Sequence, residues 1–388
     1  MITRFSILAL CLTLLATSCK KDDDNTTPEP NPGLEVPSTY SFTDSNGNNT
    51  VSFNGQAQRL EMLSEIASYM KTANTSGVSI DAQQLKDMYA NSGFTWDNDT
   101  LGMTGSSKQL RNKTAAASSG IADPGVQAYF ESYMDEIANI SSMTTTGNDN
   151  GSEGQGGVVV STSNPSKQYL QSGTGQEYAQ LIEKGLMGAV LYNQICVNYL
   201  GEAEMASDNS TAVDPSAGAY YTEMEHAWDE AFGYFTTATD FPAAGTNRFW
   251  GKYADGREEL LGSATEIAAA FRTGRAAISA NDLAARDAQI AIIRSELADV
   301  VAGTAIHYLN DAVENFSDDA LRNHQLSEAI AFMSCIPYGY EPIANQSEVM
   351  QWFFTLGTDN YAVTTAQILA VRDAIASDAG MEDIKTQL

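Results

Sequence analysis

The chain has 388 residues, with 49 acidic side chains against 21 basic ones and a formal net charge of −28. That balance opposes nucleic acid and anionic lipid as partners and favours cations. The length supports a large core, or two packed bundles.

Residues 5–16 form an apolar run that is too short to span a bilayer and reads as a signal segment, 1–18. The run closes on Leu15-Ala16-Thr17-Ser18-Cys19. This resembles the lipobox of bacterial lipoproteins, with Ala16 standing where Leu or Val is commoner. The resemblance implies cleavage before Cys19 and acylation of its thiol and new amino group, so that the lipid bilayer is a partner through acylated Cys19. Two or more acyl chains give stable attachment without a transmembrane helix. Lys20-Lys21-Asp22-Asp23-Asp24 and the four prolines of 25–38 cannot bury enough surface to fold, which makes 19–39 a flexible tether. An acidic segment directly after the cysteine also resembles the surface-export signal of Bacteroidota lipoproteins. It implies an outer-membrane lipid anchor at the cell surface, with the periplasmic face as the alternative.

The helical domain is expected over 40–388. Residues 40–54 read as two short extended pieces around the Asn46-Gly47-Asn48 turn, a small β-hairpin. Asp44 and Asn46 there lack the spacing and terminal Glu of a calcium loop. From Gln56 the apolar positions Leu60, Leu63, Ile66 and Met70 repeat at helical spacing. Asp81 opens a second helix, and Asp123-Pro124 opens a third, with Asp as cap and Pro as first residue. Residues 141–175 are rich in Ser, Thr, Gly and Asn around a Val158-Val159-Val160 run, and divide a first bundle, about 56–140, from a second, about 176–388. Beyond them helices are expected near 176–200, 216–240, 256–278, 281–316, 318–334, 346–356 and 364–378. The fold class is therefore all-α, two packed helical bundles.

Chemistry has few places to reside, because only three histidines exist. On a helix, Glu223, His226, Asp229 and Glu230 share one face, and Glu-x-x-His is the element that di-iron bundles use. This mixed N/O set suits a metal ion, Fe, Zn or Mn; the alternative is a histidine bonded to a carboxylate. A weaker second candidate is His307 with Asp311 and Glu314, and His324 reads as a surface residue. Cys196 and Cys335 either pack in the core or form one disulfide. No Ser-His-Asp order, phosphate loop or dinucleotide fingerprint occurs in a supporting context.

Several stretches resemble a Bacteroidota surface lipoprotein family catalogued as a domain of unknown function (4856). They are the segments 226–235 and 248–255, Gly55-Gln56 with 59–63, Gln109-Leu110-Arg111-Asn112-Lys113-Thr114, and Gly339-Tyr340-Glu341-Pro342. That family is in turn similar to the imelysin-like proteins, two-bundle extracytoplasmic proteins associated with iron uptake and once described as metallopeptidases. Of their Gly-x-His-x-x-Glu motif His226 fits, Asp229 stands for the Glu, Glu230 is one place late, and Met224 replaces the Gly. The resemblance implies a non-enzymatic lipoprotein that binds iron or an iron-bearing ligand and serves an outer-membrane uptake receptor. The alternatives are a metallopeptidase-like hydrolase using the His226 cluster, which has no HExxH pair, and a metal-free binding or assembly lipoprotein.

Overall fold

The computed structural model describes residues 33–117, 119–145, 150–243, 245 and 247–388. The expected signal segment, Cys19 and most of the expected tether lie outside the described residues. The fold is all-α with one two-stranded sheet among the described residues.

The first helices are α1 (Asn54–Thr72), α2 (Ala82–Ala90) and α3 (Pro124–Thr144). The Asp81 carboxylate accepts from the N–H groups of Gln83 and Gln84, and Asp123 accepts from that of Val126, so both expected caps are present. Ahead of α1 the chain makes one antiparallel bridge, Thr43 to Asn49, rather than a ladder. Asp44 takes up the turn itself, accepting from the backbone N–H of Asn46 at 2.8 Å and of Asn48 at 2.9 Å. The ladder lies in the polar segment that follows α3, where β1 (Gly157–Val160) pairs antiparallel with β2 (Gln168–Gln171). Asp318 ties down the connecting turn, accepting from Ser161 Oγ at 2.7 Å and Ser163 N at 3.0 Å.

α4 (Tyr178–Leu186) runs on into two wide π-helical turns, Met187–Tyr192 and Gln194–Tyr199. Here the backbones come close: a Cβ on Gly188 would stand 2.7 Å from Cys335 Sγ, so no larger residue fits. Next come α5 (Glu202–Met205), α6 (Glu223–Phe235), α7 (Phe249–Gly256), α8 (Glu258–Leu261), α9 (Ser263–Ser279), α10 (Leu283–Glu314), α11 (Asp319–Cys335), α12 (Gln346–Leu356) and α13 (Thr365–Asp378). α6 starts later than the apolar pattern suggests because Thr222 and Glu225 close a reciprocal capping box.

The 32-residue α10 is the central strut, packed against α9, α11 and α13. Its periodic apolar residues Ile290, Ile293, Leu297, Val300 and Val301 are buried while Tyr308, on the same stripe, is half-buried, and from 300 to 306 the helix is buried all round. One continuous apolar core joins helices on both sides of the 141–175 segment. Cys196 and Cys335 are both buried free thiols, so they pack in that core. No helix among the described residues is long and apolar enough to cross a membrane.

Candidate functional site

α6 carries the residues singled out by sequence, and its turns distribute them to three environments. Glu223, in the first turn, is exposed. Asp229 faces inward and is fully buried. Its Oδ1 accepts from the Tyr40 hydroxyl at 2.7 Å and from Arg275 Nε at 3.0 Å, and its Oδ2 accepts from Ser52 N at 3.0 Å. Burial pushes the Asp229 carboxyl above its usual range, against the pull of Arg275 and the hydrogen bonds from Tyr40 and Ser52. Arg275 also reaches Glu225 at 2.6 Å and Thr50 O at 3.1 Å, so the guanidinium staples α9, α6 and the 40–53 strap together. The Tyr40 ring stacks on Phe232 at 3.7 Å.

His226 and Glu230 do come together. His226 Nε2 lies 3.9 Å from Glu230 Oε1, both residues are half-buried, and Tyr221 stacks on the imidazole at 4.6 Å. His226 Nδ1 is 3.0 Å from Ser52 O. A carbonyl only accepts, so Nδ1 carries a proton and Nε2 faces Glu230. Glu230 also accepts from Gln56 Nε2 at 2.7 Å. The motif around His226 is thus a packing seam: its polar members hold the 40–56 segment, and Gly233 lets Phe53 approach to where a Cβ would lie 2.5 Å away.

In the second cluster, His307 Nε2 sits 3.4 Å from Asp311 Oδ2 while Glu314 is exposed. Burial lowers the imidazole and raises the carboxyl, which favours the uncharged pair. His324 is a correction to the sequence reading. It is not a surface residue: its Nδ1 lies 2.6 Å from Glu177 Oε2, Nε2 lies 3.7 Å from Glu328, and its ring stacks on Tyr169 at 4.1 Å. Among the described residues, no group of three or more His, Cys, Asp or Glu side chains is placed to hold a metal ion.

An aromatic-lined recess lies elsewhere. A 390 Å³ cleft opens where α3, α4, α11, α12 and the Pro337-Tyr338 link meet, within the range of roughly 300–1,000 Å³ usual for ligand sites. α3 contributes Tyr129, Phe130 and Tyr133, and α12 contributes Val349, Met350 and Phe353. Gly185 of α4 makes the floor, because any Cβ there would stand 2.7 Å from Phe130 Cε1. Tyr129 and Tyr133 share a hydroxyl hydrogen bond, with ring centroids 4.4 Å apart. The rim is unusually apolar for a surface, with Tyr129 50% and Met350 40% exposed. Sequence reading missed the cleft, and its one local signal was Tyr129 and Tyr133 one helical turn apart.

Residues 37–385 match the family described as "Domain of unknown function (DUF4856)". The chain belongs to the DUF4856 family. No curated protein and no solved structure matches it. The seam that joins α6 to the 40–56 segment and the aromatic cleft both lie within the DUF4856 region.

Proposed function

We propose that this protein is a lipid-anchored extracytoplasmic binding lipoprotein, held through Cys19 and the 19–39 tether, that acts without catalysis and captures an apolar small molecule in the aromatic cleft. The observation that carries the reading is the cleft itself, a concave, aromatic-walled recess with a few polar groups at its edge. The test is titration with N-phenyl-1-naphthylamine, an uncharged fluorophore that brightens in apolar surroundings. Saturable binding that Tyr129→Ala and Met350→Glu each weaken about tenfold supports it; both side chains are partly exposed, so neither change opens the core. Binding that both variants leave untouched sinks it.

A second reading keeps the imelysin-like resemblance, with iron or another transition metal bound at His226 and Glu230. The placement of Nε2 beside the Glu230 carboxylate, with Nδ1 occupied by Ser52 O, favours it. Two protein ligands leave the remaining positions to water or to a chelating ligand. A hydrolytic zinc site needs a third protein ligand, and Asp229 is committed to Arg275, Tyr40 and Ser52.

A further inference from the structure

The cleft has one charged residue in its lining among the described residues, and that residue is acidic. Asp123 caps α3 with Oδ1, which accepts from Val126 N at 2.9 Å. No hydrogen bond to its other oxygen occurs among the described residues. The same lining holds π faces set at different angles: Tyr129 and Tyr133 are tilted by 51°, and Tyr129 and Phe130 meet edge to face at 74° with centroids 5.6 Å apart. Burial first, and then neighbours that include Tyr129 and Asp123, raises the Tyr338 phenol, so that wall stays uncharged at neutral pH.

Aromatic faces carry negative charge density and attract a cation most strongly where water is excluded. A carboxylate at the same site adds a Coulombic pull and penalises an anion. The field of a chain with net charge −28 raises the local concentration of cations further. Neutral apolar ligands gain only burial, and anionic ones meet Asp123. From this we infer that the cleft selects an organic cation with an apolar body, of the quaternary or tertiary ammonium class, seated against Tyr129, Phe130 and Tyr133 with its charge toward Asp123.

The inference rests on the cleft being a binding site, and the experiment separates the two. The full chain carrying Cys19→Ala, which needs no detergent, is loaded with N-phenyl-1-naphthylamine. The dye is then displaced with benzyltrimethylammonium or with its uncharged carbon isostere, neopentylbenzene. The cation is expected to displace the dye at a concentration about tenfold lower, a preference that shrinks as salt is added. Asp123→Asn keeps the helix cap, since Asn and Asp cap equally well, and should abolish the preference while leaving binding of the neutral compound unchanged. Equal displacement by the two compounds, or a preference that survives Asp123→Asn, overturns the inference and leaves the binding reading intact. Failure of the dye to bind overturns both.

Discussion

Arg275 and Asp229 meet at 3.0 Å with neither side chain exposed to solvent. A buried ion pair is costly to assemble, and breaking it strands the surviving charge in a low dielectric. Here each partner also holds the strap: Asp229 bonds Tyr40 and Ser52, and Arg275 bonds Thr50.

Replacing either member with Ala should therefore destabilise the domain by about 3–5 kcal/mol. In addition, the strap at 40–53 should become the first site of cleavage under limited proteolysis. Urea denaturation gives the energy and mass spectrometry the cleavage site. A loss under 1 kcal/mol with the strap still protected would show that the pair does not anchor it.

The His226 reading separates cleanly from its rival on one variant. If His226 and Glu230 bind metal, His226→Ala should lower affinity for Fe or Zn by at least tenfold with little change in melting temperature. If His226 serves only to bond Ser52 O, metal titration is unchanged and stability falls by about 1–3 kcal/mol, the cost of an orphaned buried acceptor.

Two half-buried groups make stability depend on pH in the same direction. Burial alone would lower the His324 imidazole, but Glu177 and Glu328 outweigh it and also outweigh nearby Lys184, so its pKa is raised. Its contribution is complete below the unfolded value near 6.5 and is lost as the pH rises through the folded one. Burial, and then Glu296, pushes the Asp299 carboxyl up to about 7. That contribution is complete below the unfolded value of 3.8 and is lost as the pH rises through 7. Melting temperature should accordingly fall between pH 5 and 8. Asp299→Asn should recover on the order of 2 kcal/mol at pH 8, whereas His324→Gln should flatten the curve by destabilising the low-pH end. A curve that neither substitution alters would remove both assignments.

For the anchor, Cys19→Ala should release the protein from membranes into a soluble extracytoplasmic pool and end its labelling by fatty acid. Protease added to intact cells should remove the domain of the lipidated chain if the 20–24 segment directs it outward. Retention in the membrane fraction with the label intact would refute acylation at Cys19, and full protection would place the domain on the periplasmic face.

What could be read in advance followed the range of the interaction. Asp81 and Asp123 cap helices through neighbours two or three residues on, so the sequence alone reveals them. The Thr222–Glu225 box was equally local, but the aromatic run at Tyr220-Tyr221 masked it by extending the apolar pattern. Asp229 was placed correctly on the helix and wrongly in its company, because Tyr40 and Arg275 arrive from segments that no spacing rule connects to it. Arg275, on the same face as Ala268 and Phe271 in the Ala-rich 264–278 stretch, was the available hint of a buried acidic partner. The cleft has no local signature, since it exists only where four helices and a link converge.

The strap also constrains the order in which the chain can be completed. Tyr40 waits for a partner 189 residues later, and Thr50 for one 225 residues later. A chain emerging with its N-terminus first can form α1, α2 and α3 as separate pieces, but it cannot close the seam until α9 has arrived. Through most of its synthesis the leading part lacks these partners, and the seam closes only once the later helices have been made.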